Sequence, residues 1–526
     1  MNTYTLLRFG FVLFICQLAA RLQGEPAIAG QDVGQIIERG ADYRIVQAAA
    51  DARYTELETG MHFWDAQANR WSESSVDIVV GENGASATHG QHQAYFSGNL
   101  ADTPSVTWVT PQGKQWKSRV LGISYYNRVT HQSVWIAELK PEVAGVLHPP
   151  NRVIYPDAFD SISGEVHFVY EKAKFSATIL LLSRPPSPSD FQLDPDTCSL
   201  EVVTEIFDLP ALEKQTKQLL VREDQPLFSD DSLNFGDARI GKGQAFLFDD
   251  EAAGAIPVCK TLARIEGRDL LFESVDYISA KPYLDTLPEL AGIIKPVNVA
   301  KSGRIAPQTK KSVAQAKPKP LQVASARPHR AGFAVDWEGA ITGNTNDYVF
   351  APNTTTYVSG YATLSGSSNY LMGGTVIKFA PTNTAQLNIS GTLVCQTSPY
   401  EMAVLTARDD HSVGTPIGSA SLSGYYATAA LSFVGDNPRD LSYVRIAYAN
   451  KAIYFDLDSQ NTLSHCQIMN CGRGLDLNRT TTFVRNCLMY RVQTNFTRPS
   501  TYSSDARCEH LTVVLTGRSC AQNLVG

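Results

Sequence analysis

LSYVRIAYANKAIYFDLDSQN (Leu441–Asn461), TLSHCQIMNCGRGLDLN (Thr462–Asn478) and TFVRNCLMYRV (Thr482–Val492) can be written one beneath another. Their apolar positions then fall into columns. Leu441, Leu463 and Phe483 form one, and Ile446, Ile468 and Leu488 a second. Val444 lies over Cys466, Ile453 over Leu475, and Phe455 over Leu477. The offsets are 22 (441 to 463) and then 20 (463 to 483). Short alternating apolar runs broken by Asn, Asp, Gly and Thr are a strand signal. A repeat of about 20 to 25 residues that cannot bury its own apolar face is a solenoid signal, because each unit needs its neighbour to cover it. No Leu-x-x-Leu-x-Leu-x-x-Asn pattern runs through the stretch, which disfavours a leucine-rich repeat.

The same texture begins earlier. TYVSGYATLSGSSNYLMGGTVIKFAPTNTAQLNISGTLVC (Thr356–Cys395) alternates apolar positions with Gly and Asn at bends. Those two residues tolerate the left-handed backbone that tight corners need. On these columns and bends, residues 335–526 resemble the right-handed parallel β-helix family, the pectate-lyase-like solenoids. The resemblance implies a stacked solenoid with polysaccharide as its ligand class. For the lyases of that family it also implies β-elimination of a uronate chain, assisted by calcium-binding carboxylates and an arginine. The Trp-Ile-Asp-His and Arg-x-Pro-x-x-Arg segments of those lyases are missing here, so the resemblance specifies a fold better than a reaction.

Outward from the solenoid, 526 residues exceed one ordinary core and predict two or three domains. An apolar content of 43% with 18% charge is globular, and a net charge of −7 argues against nucleic acid as the main partner. Arg8 precedes the apolar run FGFVLFICQLAA (9–20), too short to span a bilayer, so residues 1–24 are expected to be a signal peptide and the protein secreted or at the cell surface, with no transmembrane segment in the mature chain. Residues 31–60 mix helix-compatible and strand-compatible runs and give no assignment. From Met61 the chain turns β-rich, with turn signals such as GENG, PQGK and HPPN between short strands. That spacing predicts an antiparallel β-sandwich-like domain over 25–290. Lys295–Arg330 carries nine basic and no acidic residues among Ala, Pro, Gln and Ser, which predicts an extended basic linker at about 291–332. The all-β chain then ends in a parallel β-helix over 333–526. No polar cap follows HLTVVL, so a fragment, or an end covered by a partner, is expected.

Several residues are candidates for chemistry. On the column register His465 and Arg485 face outward one coil apart, about 5 Å from each other if the strands pair, which makes them the candidate basic pair for catalysis. Asp409 and Asp410 in ARDDHSVG are the candidate calcium ligands. Asp456 and Asp458 share a strand face and are weighed as paired carboxylates. Trp64, Trp71 and Trp108 offer aromatic faces for sugar rings, with core packing as the alternative. His89 and His92 lack a nearby carboxylate and are expected at turn and strand edges. Beyond Cys16 eight cysteines remain of the nine. Cys198 and Cys259 stand alone in the first half as a possible pair. Cys466, Cys487 and Cys508 recur every 21 residues, but the columns put Cys466 inward and Cys487 outward, so buried free thiols are expected instead. Surface display of a glycan-binding solenoid is the favoured function, and a lyase or hydrolase acting on an acidic glycan is the alternative.

Overall fold

The computed structural model describes residues 34–514, apart from 220, 223–225, 249–254, 290–297, 300–302, 305–319, 325–330, 344, 436–437, 457–459 and 499–503. The expected signal peptide, Asp458 and the chain end therefore lie outside the described residues.

Residues 349–514 form a parallel β-solenoid of about 7 turns. Each later coil contributes three strands in order, for example Gln460–Ser464, Gln467–Met469 and Arg473–Asn478. Like strands of successive coils pair in parallel, so the backbone N–H and C=O groups of these strands find partners in the neighbouring coils. The columns stand where the sequence placed them in the first two of the three aligned coils. Leu441 pairs with Leu463, Ile446 with Ile468, Ile453 with Leu475, and Phe455 with Leu477. In the next coil the register moves by one residue: Val484 continues the Leu463 column and Met489 the Ile468 column, while Phe483 and Leu488 fall between. A one-residue slip exchanges the two faces of a strand. Cys487 is accordingly buried at 5% exposure, inward like Cys466 and not outward.

The N-terminal end of the stack is closed by a feature the sequence left unassigned. Gln35–Arg39, Tyr43–Ala49 and Ala52–Leu57 form an antiparallel meander. Its last strand joins the solenoid in parallel, with Thr55 opposite Thr356 and Leu57 opposite Val358. Leu57 is 1% exposed and completes the apolar interior of the first coil.

In sequence, an antiparallel sheet domain comes between the meander and the solenoid. Its strands run Val79–Gly81, Gly84–Ala87, Gln93–Ser97, Val106–Val109 and Gln115–Asn127 as a meander. The order continues through Cys198–Phe207, Arg268–Asp276, Ile256–Ile265 and Ala238–Phe248. Gly332–Ile341 comes next, followed by Lys174–Leu181, Gly164–Tyr170 and Arg152–Tyr155. The sheet curls so that its two halves face each other across an aromatic interior. Trp108 stacks on Phe175 at 6.1 Å, and Phe235 meets Trp108 and Trp116 edge-on at 6.0 and 5.8 Å. Gly332–Ile341 follows the linker in sequence, and it sits inside this domain rather than in the solenoid. The linker also departs from a free spacer wherever it is described. Asn298–Val299 pairs with Val134–Trp135, and Gln322–Val323 with Val146–Leu147. The Arg304 guanidinium lies over the rings of Tyr126 and Phe272 and bonds Glu201 at 2.8 Å.

Cys198 and Cys259 are both free thiols, so the suggested pair is not a disulfide; Cys466, Cys471 and Cys487 are buried free thiols, Cys466 as its column predicts and Cys487 against it, while Cys508 is exposed. Burial pushes the Glu273 carboxyl up to about 8, against the pull of Lys260 and with a further push from Asp336, itself raised by burial. Burial pushes His92 the other way, down to about 4. A raised carboxyl favours the fold at low pH and loses that contribution as pH rises through its folded pKa, whereas a depressed imidazole loses its contribution as pH falls below about 6.5. Between pH 6.5 and 8 the raised Glu273 carboxyl by itself is expected to lower stability by about 2 kcal/mol, while the lowered Cys487 thiol pushes the other way. Urea midpoints of the wild type and Glu273→Gln at both ends of the window check this, the variant being the flatter of the two.

Candidate functional site

The proposed catalytic pair does not assemble. Ser464, not His465, lies opposite Arg485. His465 occupies a left-handed corner at φ 56° and stacks on Tyr443 at 4.7 Å, while Arg485 bonds Glu509 at 2.8 Å. The two share only a backbone hydrogen bond, His465 N–H to Arg485 C=O at 3.0 Å. The one-residue slip that exchanged Phe483 and Val484 is the cause. Asp456 accepts from Asn478 Nδ2 at 2.7 Å, which fixes it as a link between coils.

The aspartates Asp409 and Asp410 tie down an insertion. Residues 408–426 leave the solenoid between Ala403–Ala407 and Ala427–Val434 of one coil. Asp409 accepts from Arg408 Nη2 at 3.0 Å and the Ser419 N–H at 2.7 Å. Asp410 accepts from Thr406 Oγ1 at 2.7 Å and the Ser412 N–H at 3.0 Å, and its carbonyl accepts from Lys378 Nζ at 2.8 Å. Burial works against both charged forms, but these hydrogen bonds outweigh it and hold both carboxyls below their ordinary values. Among the described residues no three His, Cys, Asp or Glu side chains cluster closely enough to hold a metal ion.

Further along, the insertion runs beside a solenoid corner and creates a cleft. Tyr448, Asn470 and Arg491 take left-handed backbone angles at equivalent positions of three successive coils, with φ of 60°, 53° and 53°. Their N–H groups donate to carbonyls of the next coil, Tyr448 to Met469 at 3.3 Å, Asn470 to Tyr490 at 2.9 Å and Arg491 to Val514 at 3.0 Å. A side chain in this conformation costs about 1 kcal/mol each time, and the coil-to-coil bonds hold it there. Leu422 and Tyr425 of the insertion form the opposite wall, fixed by the Tyr426 N–H to Tyr448 C=O bond of 2.7 Å. A Cβ on Gly472 would come within 3.2 Å of Tyr425 Cε2 and 2.8 Å of the Asn450 carbonyl, so glycine lets Tyr425 approach the stack. The cleft has a volume of about 530 Å3, with Gln493 also in its lining.

Its chemistry is that of binding. Tyr425 and Tyr448 present ring faces and hydroxyls, Asn470 and Gln493 present amide donors and acceptors, and Arg491 adds five N–H donors. Arg491 is exposed, lies 5.1 Å from the Tyr490 ring centre, and pairs with none of the described carboxylates. Among the described residues the lining holds no carboxylate and no imidazole. The sequence contained a usable signal for this row, since 448 to 470 is 22 residues and 470 to 491 is 21, the solenoid period carried by polar residues.

In the N-terminal part the tryptophans divide. Trp64 and Trp71 face each other across the hairpin His62–Asp65 and Arg70–Glu73, rings 5.5 Å apart, with Trp64 51% exposed. Trp108 is fully buried and donates Nε1–H to His92 Nδ1 at 2.9 Å, so it is a core residue and not a sugar platform. His92 is correspondingly neutral, and its Nε2 contacts the Glu171 carbonyl at 2.8 Å. No described helix is long and apolar enough to cross a membrane. Comparison with protein-family models, with curated proteins and with solved structures gives no match for this chain.

Proposed function

We propose that the protein is exported and presents its solenoid at the cell surface to bind a polysaccharide. The observation that carries this is the cleft along the Tyr448–Asn470–Arg491 corner. Adjacent coils repeat at about 4.8 Å, close to the length of one sugar ring, so a row of stacking and hydrogen-bonding groups suits a chain laid along the stack. The exposed Trp64–Trp71 pair is a second stacking surface. A described lining of tyrosine rings, amides and one arginine suits recognition of a sugar chain.

The test is affinity electrophoresis through gels containing neutral or uronate polysaccharides, using the wild type, Tyr425→Ala and Arg491→Ala. Each substitution is expected to weaken binding about tenfold, or 1.4 kcal/mol. Wild-type mobility unaffected by every glycan, or variants retarded as strongly as the wild type, would refute the proposal.

A further inference from the structure

Cys466 and Cys487 occupy equivalent places on consecutive coils, at the inner side of the same corner. Each precedes a strand, and those strands pair with Gln467 opposite Leu488. The Leu488 N–H donates to the Cys466 carbonyl at 2.9 Å, which places the two cysteines one above the other. Their surroundings repeat as well. Cys466 Sγ lies 3.4 Å from the Ser464 carbonyl and 3.7 Å from that of Leu441; Cys487 Sγ lies 3.3 Å from Arg485 and 3.7 Å from Leu463. Paired parallel strands put Cα atoms about 4.8 Å apart, inside the range of about 4.4 to 6.8 Å that a disulfide spans.

We propose that Cys466 and Cys487 are a modification site: a dithiol that small-molecule disulfides convert into a bond stapling two coils together. The Cys487 thiolate attacks one sulfur of glutathione disulfide, forming a mixed disulfide and expelling one glutathione thiolate. The Cys466 thiolate then attacks the Cys487 sulfur and expels the second glutathione. One disulfide is consumed and one formed, and two protons leave with the two glutathione thiols. Cys487 is the attacking group because it lies one coil nearer the exposed end strands and its thiol, beside Cys466, is held below its ordinary value while that of Cys466 is raised. It is reached when Asp505–Glu509 and Thr512–Val514 lift away, strands that are mostly exposed.

The remaining cysteines of these coils make controls. Cys471 is just as buried, but the Gln493 N–H to Cys471 C=O bond of 3.0 Å puts Val492 in the equivalent place one coil on, so it has no thiol to join. Cys508 is exposed and pairs with Val484, three strand positions from Cys487.

The full chain is incubated with glutathione disulfide, quenched in acid, denatured, alkylated, digested and weighed. The peptides carrying Cys466 and Cys487 are expected to be linked and lighter by two hydrogens, with Cys471 fully alkylated. In Cys466→Ser, Cys487 is expected to retain glutathione, since the second attack is lost. The oxidised wild type is expected to melt several degrees higher than the reduced protein, reversibly with dithiothreitol. Alkylation of Cys466 and Cys487 as complete as that of Cys471, or a bond from Cys487 to Cys508, would overturn the proposal from the wild-type protein alone.

Discussion

Dividing the chain between Lys311 and Ser312 and producing both halves together is expected to give one complex that elutes with the intact protein. Strand pairings cross the division in both directions. Gly332–Ile341 from the second half lies between Lys174–Leu181 and Ala238–Phe248 of the first, paired with both over most of its length. Ala52–Leu57 from the first half pairs with Thr355–Val358 of the second. Phe333, Val335, Trp337 and Ile341 are each at most 3% exposed. Each such side chain contributes about 1.5 to 3 kcal/mol of burial, and removing the strand would also leave two rows of backbone groups without partners. Deleting 332–341 from the second half is therefore expected to leave the first half insoluble, even when both are made together. Gel filtration and sedimentation of the paired halves decide it. Two folded species that elute separately would show that the pairings do not bind the parts together.

How far the sequence disclosed this architecture depends on where the partners lie. The solenoid was legible because each coil's partner is about 21 residues away and has the same apolar pattern. Ile453 over Leu475 and Phe455 over Leu477 follow from that alone. The capping meander was not legible, because Thr55 finds its partner at Thr356, and nothing within reach of residues 35–57 reports that pairing. The final coil was misread for a local reason. Phe483 and Val484 are adjacent and both apolar, as are Leu488 and Met489, so hydrophobicity could not choose between registers. The corner could have chosen. Tyr443, His465 and Asn486 all take left-handed angles and stand 22 and 21 residues apart, which sets the step that the apolar columns missed by one. The same error made His465 and Arg485 look like neighbours and hid the Cys466–Cys487 stack. Trp108 was misplaced for a different reason: an aromatic in an alternating strand has the same signature whether it faces sugar or core.

That register has a sharp experimental consequence. Val484→Asp is expected to undo the C-terminal coils, while Phe483→Asp next to it is tolerated. Val484 is 1% exposed, opposite Leu463 in the interior column. An aspartate there forfeits about 1.5 to 3 kcal/mol of apolar burial. It also puts a carboxylate among Leu463, Cys466 and Cys487 without a designed partner, which brings the total above about 4 kcal/mol, a range reached only by a few mechanisms. Phe483 points to the other face of the strand, half-buried under the Arg507 guanidinium at 5.5 Å. Replacing it loses a cation–π contact worth about 0.5 to 1 kcal/mol at an exposed site, and the new carboxylate gains Arg507 as a neighbour on the paired strand. Urea midpoints and protease resistance of residues 460–514 report the difference directly. The reverse order, with Phe483→Asp the damaging change, would return Phe483 to the interior column and Cys487 to the outside, and the stacked thiols would be lost with it.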